Sequence, residues 1–136
     1  MIHLLPLRVY YEDVDLAGIV YYANYLKYLE RGRSEMVREA GISQLDMKAQ
    51  GLVFAVRKVE AEYLKPAKYD DQLVVETRLD RLKGASFDMP QRVLRDDTVL
   101  LEARVKVVIL NADGRAARLP ADIRAKVTAL AASDSA

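Results

Sequence analysis

VYYEDVDLAGIVYYANYLKYLERGR, residues 9–33, is the stretch that decides the fold of this chain. It contains the end of an alternating apolar–polar pattern, a cluster of acids at residues 12–15, a glycine turn at Gly18 and the beginning of a helical pattern. The alternation from Leu5 to Asp13 has a period of two, which predicts a strand. From Tyr22 or Asn24 onwards, apolar residues fall on one face at helical spacing, at Tyr25, Leu29, Gly32, Met36 and Ala40. The stretch therefore predicts a strand, a tight turn and a long helix in succession.

Two glycines, Gly32 and Gly41, indicate where the predicted helix ends and where it approaches another element. Gly41 follows the last residue of the helical pattern and predicts its C-terminal end. Gly32 stands in the middle of the apolar stripe, where glycine costs about 1 kcal/mol of helix propensity relative to alanine. We expect such a glycine where the helix closely approaches another element, most simply a sheet.

The remainder of the chain has mainly the pattern of strands. Ile42 to Gln50 predicts a short helix, with Ser43 as its cap, or an irregular turn. The tail from Pro120 to Ala131 has helical composition, and the last residues, SDSA, are expected to fray, so that the frayed tail covers about residues 132–136. Residues rich in Val, Leu, Tyr and Phe predict four strands, at Leu52–Leu64, Gln72–Leu82, Ala85–Arg95 and Thr98–Leu110.

The order of these elements predicts a single α+β domain over residues 1–136. Short separators, Lys65-Pro66-Ala67, Lys83-Gly84 and Asp96-Asp97, favour antiparallel hairpins, since a parallel crossover needs a dozen or more residues. A helix of roughly 18 residues is about 27 Å long, comparable to the width of a five-stranded sheet. We expect the helix to cover one face of an antiparallel sheet, leaving the other face and an edge for a partner subunit.

Composition excludes several classes of function. The 136 residues contain no cysteine and one histidine, His3, so thiol nucleophiles, thiolate metal sites and sites built on several histidines are excluded. The net charge of +1 gives no general attraction to nucleic acid. No apolar run approaches the ~20 residues of a membrane span, and the first residues lack a secretory signal pattern. We expect a cytoplasmic protein without a metal or redox cofactor.

Three acids, Glu12, Asp13 and Asp15, precede Gly18 and the predicted helix. In one interpretation, one of them caps the loop or the helix and the others are solvated. In the other, a carboxylate acts chemically beside the helix N-terminus, whose unpaired N–H groups stabilise negative charge on a carbonyl oxygen. Without cysteine or a well-placed histidine, a carboxylate is the obvious candidate for a nucleophile or general base.

The run YYEDVDLAGIVYYANYLKYLERGR resembles the signature of the hot-dog-fold acyl-CoA thioesterases, specifically the 4-hydroxybenzoyl-CoA thioesterase branch and its Tol-Pal-associated relatives. The resemblance continues through VRKVEAEYLKPAKYDDQL and LKGASF, up to about Leu119. It implies a long helix wrapped by a five-stranded antiparallel sheet, with active sites at a subunit interface. It also implies hydrolysis of an acyl-CoA thioester, and we expect a homodimer that assembles further into a homotetramer.

By position, the resemblance implies that Asp15 is the catalytic carboxylate, that Gly18 makes the tight turn, and that the backbone N–H of Tyr22 polarises the thioester carbonyl. Many Tol-Pal-associated relatives have histidine where this chain has Tyr22. Tyrosine is tolerable there if the main-chain N–H is the group that acts, whereas a role for an imidazole side chain would change the chemistry or the rate. In relatives a basic turn lies near the nucleotide, which implies a phosphate contact at Arg81 and Lys83, the alternative being a solvated turn. Arg57, Lys65 and Lys68 are weaker candidates. Ile19, Val20, Tyr25, Phe54 and Val56 are the expected acyl-pocket residues.

The sequence leaves open the role of Tyr25 and the type of function. Tyr25 lies on the helix stripe, where an aromatic side chain either packs in the core or contacts the acyl group. Asn24 is expected to organise the helix start by local hydrogen bonds. The second hypothesis for function is a non-catalytic module that binds acyl-CoA or an acyl carrier protein. A dehydratase on the same fold is a weaker hypothesis, because such sites usually pair a histidine with an acid. The acyl group is undecided.

Overall fold

A long helix, α1, lies on one face of a five-stranded antiparallel sheet in the computed structural model, which describes residues 1–132. The α+β architecture predicted from the sequence is thereby confirmed, whereas the expected fraying of SDSA lies outside the described residues. The elements are β1 (His3–Arg8), α1 (Asn24–Glu39), α2 (Gln44–Ala49), β2 (Val53–Tyr63), β3 (Gln72–Thr77), β4 (Ser86–Arg95), β5 (Thr98–Leu110) and α3 (Ala121–Ala132).

The strands are arranged in the order β1-β3-β4-β5-β2, and each neighbouring pair is antiparallel. The predicted hairpins between β3 and β4 and between β4 and β5 are confirmed. The hairpin expected at Lys65-Pro66-Ala67 is wrong, because β2 pairs with β5 and forms one edge of the sheet. The backbone N–H groups of Leu64 and Lys65 donate to the carbonyl of Leu100, so the chain leaves β2 without turning back on it.

The first strand is shorter than predicted. β1 ends at Arg8, and residues Tyr11–Asp13 form a 3₁₀ turn. The chain turns here because the Asp13 carboxylate accepts a 2.7 Å hydrogen bond from the Tyr10 N–H, which closes the turn locally. The three acids therefore lie in the connection between β1 and α1 and not at the end of a strand.

β3 ends at Thr77, whereas the sequence pattern predicted a strand to Leu82. Beyond Thr77 the chain still runs beside β4, since the Arg78 N–H donates to the Pro90 carbonyl at 3.0 Å. Pro90 has no N–H to return this bond, so the ladder is interrupted at that point. Further on, the Asp80 N–H donates to the Asp88 carbonyl at 2.8 Å, again without a return bond in the described part of the chain, so β3 ends where the chain pairs with β4 in one direction only.

Helix α1 confirms the predicted boundaries and the predicted close approach at Gly32. A Cβ atom at Gly32 would lie 2.7 Å from Val75 Cγ1 and 2.8 Å from Thr77 Oγ1, both on β3. Glycine at this position lets the helix backbone contact the sheet directly. Gly41 has a φ of +80° just after the helix, a left-handed conformation that favours glycine. Ser43 caps α2 as predicted, accepting a hydrogen bond from the Asp46 N–H.

The core has two parts along α1. The first turns of the helix pack through Tyr25, Tyr28 and Leu29 against β3, β4 and β5, while Met36 and Val37 pack with α2 and α3. The first part of the core supports the connection that carries the acids. Within residues 1–132, no helix combines the length and the apolar character that crossing a membrane requires.

Candidate active site

Asp13 organises the connection between β1 and α1. Its main-chain carbonyl accepts hydrogen bonds from the Tyr21 N–H and from the Asn24 side chain, both at 2.9 Å. The Tyr28 hydroxyl is buried beneath it, and this burial together with the Asp13 carboxylate raises the pKa of Tyr28, so that the phenol keeps its proton. Asp13 is thus the acid with the capping role, and Asn24 organises the helix start as predicted.

Asp15 occupies a tight turn whose geometry leaves its carboxylate exposed. Its carbonyl accepts from the Gly18 N–H at 3.0 Å, and its N–H donates to the Ile19 carbonyl at 3.0 Å. Gly18 has a φ of +78°, which glycine adopts without strain. One carboxylate oxygen, Oδ1, accepts from the Ala17 N–H at 2.9 Å. Within residues 1–132 the other oxygen, Oδ2, has no hydrogen-bond partner, so it is available to a water molecule or a substrate.

Tyr22 lies two residues before the first residue of α1. The turn that leads into the helix is closed by the Asn24 N–H, which donates to the Tyr21 carbonyl at 2.8 Å. Among the hydrogen bonds formed within the described part of the chain, none uses the N–H of Tyr22 or of Ala23. Ala23 is the N-cap residue of α1 and Tyr22 directly precedes it, so both unpaired N–H groups lie beside the helix N-terminus, where the helix dipole adds partial positive charge.

Asp15 and Tyr22 line the same cavity, which has a volume of about 390 Å³. Gly18 forms the Asp15 turn next to it. The structure thus brings together five residues that the sequence placed in the site. The cavity is lined by Asp15, Ile19, Val20, Tyr21, Tyr22, Tyr25, Tyr63, Leu64, Lys65 and Pro66.

Tyr25 combines the two roles that the sequence left open. It is 3% exposed and belongs to the core, yet its ring forms part of the cavity wall. Its hydroxyl accepts a 3.0 Å hydrogen bond from the buried Ala67 N–H. Burial raises the pKa of Tyr25, partly offset by that hydrogen bond, so the hydroxyl stays neutral.

Another part of the cavity wall consists of residues 63–66, which the sequence did not place in the acyl site. The end of β2 reaches the cavity because the Val20 N–H donates to the Ala67 carbonyl at 2.9 Å. Arg95 holds the same segment through the Pro66 carbonyl and the Asp71 carboxylate. Lys65, which was a weaker candidate for phosphate binding, is the positively charged residue of this part of the wall. No local pattern indicates these residues, since only the strand order brings them beside residues 15–22.

Four predicted site residues, Phe54, Val56, Arg81 and Lys83, lie elsewhere in the protomer. Arg81 lines a cavity of about 600 Å³ between residues 78–82 and α3, and Lys83 lies in the adjoining turn. Val56 lines a cavity of about 200 Å³ together with Phe54 and Arg33. Burial lowers the pKa of Arg33, whose guanidinium donates to the Gln91 side chain. A single chain does not join these residues to the Asp15 cavity, and their roles stay predictions.

Comparison with known proteins identifies the relatives of this chain. Residues 9–127 match the family model of the thioesterase-like superfamily. The chain is 42% identical, over 107 residues, to the acyl-CoA thioester hydrolase YbgC of Escherichia coli; the match covers 78% of this chain and 80% of that protein.

Solved structures have the same arrangement of strands and helix. A probable thioesterase from Bartonella henselae superimposes with a TM-score of 0.83 at 39% identity, covering 88% of this chain and all of that one. A 4-hydroxybenzoyl-CoA thioesterase variant, solved with 4-hydroxybenzoyl-CoA bound, superimposes with a TM-score of 0.85 at 25% identity, covering 93% of this chain and 98% of that one.

Proposed function

The chain belongs to the thioesterase-like superfamily and is a thioester hydrolase with the hot-dog fold, and we propose that it hydrolyses acyl-CoA thioesters with Asp15 as the reacting carboxylate. The observation that carries this proposal is the shared cavity, which is lined by both Asp15 and Tyr22. Within residues 1–132, Asp15 Oδ2 and the Tyr22 N–H have no hydrogen-bond partner. One group supplies a base or nucleophile, and the other supplies a donor for a developing oxyanion.

In a general-base reaction, the Asp15 carboxylate removes a proton from water as the water oxygen attacks the thioester carbon. The carbonyl oxygen becomes an oxyanion that accepts a hydrogen bond from the Tyr22 N–H. The intermediate then collapses, the carbon–sulfur bond breaks, and the thiolate takes the proton from Asp15. The products are a carboxylic acid and free coenzyme A, and the Asp15 carboxylate is regenerated.

In the nucleophilic alternative, Asp15 attacks the thioester carbon directly. The carbon–sulfur bond breaks, the thiolate leaves, and a mixed anhydride joins the acyl group to Asp15. Water then cleaves the anhydride and restores the carboxylate. Single-turnover hydrolysis in ¹⁸O-labelled water separates the two routes: attack of water on the Asp15 side of an anhydride puts ¹⁸O into the Asp15 carboxylate, whereas the general-base route puts ¹⁸O only into the released acid.

The relatives support a choice of the thiol that carries the acyl group in the substrate. The Escherichia coli protein is an acyl-CoA thioester hydrolase, which supports coenzyme A as the thiol carrier here. The sequence resemblance supports assignment to the 4-hydroxybenzoyl-CoA thioesterase branch and its Tol-Pal-associated type, with an acyl carrier protein as a further possible thiol carrier. A cytoplasmic location remains a prediction from the sequence.

We also propose that the protein forms a homo-oligomer through β2. This strand has eleven residues, lies at an edge of the sheet, and exposes Val53, Val56 and Val59. An edge strand with unpaired backbone groups and exposed apolar side chains is a template for pairing with a second copy. Light scattering coupled to size-exclusion chromatography tests this: dimer or tetramer mass supports it, and a monomer contradicts it.

Steady-state hydrolysis of a panel of acyl-CoA thioesters tests the assignment of Asp15. We expect Asp15→Asn to lower kcat by at least about a hundredfold, since asparagine is neither a base nor a nucleophile here. Glu12→Gln is the matched control, because Glu12 is an exposed acid of the same connection that does not line the cavity, and it should keep wild-type activity. Full activity of Asp15→Asn contradicts the assignment. Calorimetric binding of acyl-CoA by the wild type without thiol release contradicts hydrolysis and supports a non-catalytic binding module.

A further inference from the structure

Tyr63, the last residue of β2, donates its hydroxyl to the main-chain carbonyl of Tyr22 at 2.9 Å, across 41 residues of sequence. Within residues 1–132 this hydroxyl is the hydrogen-bond donor to that carbonyl. The bond joins the part of the cavity wall at residues 63–66 to the turn that carries the proposed carbonyl-binding N–H. Neither the sequence nor the mechanism proposed above assigns a role to Tyr63.

The bond sets the orientation of a peptide group at the helix start. The Tyr22 carbonyl and the Ala23 N–H belong to one planar trans peptide, in which the two groups point in opposite directions. Holding the oxygen therefore also holds the direction of the Ala23 N–H. The peptide that carries the Tyr22 N–H is held separately, since its carbonyl, that of Tyr21, accepts from the Asn24 N–H at 2.8 Å. With both sides held, the unpaired N–H groups of Tyr22 and Ala23 keep a constant direction.

The Tyr63 ring is itself held in place by other tyrosines. Its centroid lies 5.4 Å from that of Tyr25, at 77°, and 6.3 Å from that of Tyr22, at 72°. Edge-to-face contacts of this kind favour a particular orientation of the ring. Tyr25 is anchored in turn by the hydrogen bond from Ala67. The hydroxyl of Tyr63 therefore projects from a rigid aromatic cluster.

The Tyr63 hydroxyl stays protonated, so it can always donate its hydrogen bond. Burial and the neighbouring Tyr25 and Tyr22 raise the pKa of Tyr63 above its ordinary value. The hydroxyl consequently keeps its proton throughout the neutral and mildly alkaline range. A hydrogen bond accepted by a peptide oxygen also polarises the N–H of the same peptide, which makes it a better donor.

We propose that Tyr63 is a positioning residue for thioester hydrolysis: its hydroxyl holds the Tyr22–Ala23 peptide so that the Ala23 N–H, next to the Tyr22 N–H, is oriented as a second donor to the oxyanion. This inference rests on the proposed function, because it needs a carbonyl to be bound at this turn. Donors that are already oriented cost no reorganisation when charge develops, so their loss affects the transition state more than substrate binding.

The test is Tyr63→Phe, which keeps the ring and its contacts and removes the hydroxyl. We expect kcat for an acyl-CoA thioester to fall about tenfold, with KM changed less than about twofold, because orientation is lost without loss of binding area. The dissociation constant of free coenzyme A, measured by calorimetry, should not change, since it has no acyl carbonyl. Tyr69→Phe is the matched control, an exposed tyrosine that does not line the cavity, and should keep wild-type kcat.

The outcomes separate this inference from the proposed function. If the wild type is active, Asp15→Asn is inactive and Tyr63→Phe has wild-type kcat, the positioning role is wrong and the proposed function stands. A fall in melting temperature of Tyr63→Phe without a change in kcat means a purely structural role and also contradicts the inference. If the wild type hydrolyses no thioester, the proposed function is wrong, and the positioning role of Tyr63, which rests on it, is wrong as well.

Discussion

The hydroxyl of Tyr25 accepts a hydrogen bond of 3.0 Å from the backbone N–H of Ala67, and both residues are almost completely buried. This contact ties the first turn of α1 to the segment that forms part of the wall of the Asp15 cavity. Tyr25 was predicted as an acyl contact or a core residue, and its hydroxyl has a third role, which is to satisfy a buried main-chain donor.

Tyr25→Phe should destabilise the protein by about 1–3 kcal/mol, because it leaves the Ala67 N–H buried without an acceptor. Urea unfolding followed by circular dichroism measures this difference. Tyr11→Phe, at a tyrosine that is 84% exposed, is the control and should change stability by less than about 0.5 kcal/mol. Equal stability of Tyr25→Phe and the wild type would show that water or a shifted backbone satisfies the donor.

Gly32→Ala should destabilise the protein although alanine is the better helix former. Alanine gains about 1 kcal/mol of helix propensity, but its Cβ would lie 2.7–2.8 Å from atoms of Val75 and Thr77. To relieve this overpacking, the helix has to move away from β3. Overpacking costs about 1–3 kcal/mol, which outweighs the gain in helix propensity. Thermal and urea unfolding of the variant are the measurements. Lys27→Ala, on the exposed side of α1, is the control, and a more stable Gly32→Ala would contradict the close contact.

Asp71→Asn should lower stability in a pH-dependent way. Burial opposes ionisation of Asp71, but hydrogen bonds from the Lys68 N–H and the Arg95 guanidinium outweigh it and hold the pKa of this carboxyl below its ordinary value. A carboxyl with a lower pKa in the folded state stabilises the protein above its unfolded pKa, about 4, and this contribution is lost as the pH falls through the folded pKa.

At pH 7 we expect Asp71→Asn to cost about 1 kcal/mol, a difference from the wild type that should shrink steadily below pH 4. Urea unfolding at a series of pH values measures it. Asp70→Asn serves as control, because Asp70 forms a more exposed pair with Arg8 and asparagine tolerates its φ of 70°. A difference at Asp71 that stays constant down to pH 2 would rule out the ionised carboxylate as its source.

Lys65, rather than Arg81, should affect coenzyme A binding at the Asp15 cavity. Lys65 lines that cavity, whereas Arg81 lies beside α3. One exposed ion pair with a phosphate contributes up to about 1 kcal/mol, so Lys65→Ala should raise KM for a coenzyme A thioester up to about fivefold. The KM of Lys65→Ala for the matching N-acetylcysteamine thioester, which lacks phosphates, should equal that of the wild type. Arg81→Ala should leave both values unchanged, and the reverse pattern would favour the turn predicted from the sequence.

Much of the local structure could be predicted from the sequence because its causes are local. The helical spacing from Tyr25 to Met36, the glycine after α1 and the cap at Ser43 each depend on residues within a few positions of one another. The failures have nonlocal causes. β3 ends early because return bonds from β4 are missing, one of them through Pro90, and the Lys65-Pro66-Ala67 hairpin fails because β2 pairs with β5.

The sequence by itself determined the acids, the turn at Gly18 and the helix that begins at Asn24, because these features are continuous in the chain. It could not determine what faces them. Only the tertiary structure placed Tyr63 and Lys65 in the wall of the same cavity, since their position depends on strand order and on the hydrogen bonds from Val20 to Ala67 and from Ala67 to Tyr25. It also separated Asp13, which organises the connection, from Asp15, which has a free carboxylate oxygen, because neighbouring acids of like sequence context differ only in the partners that the fold gives them.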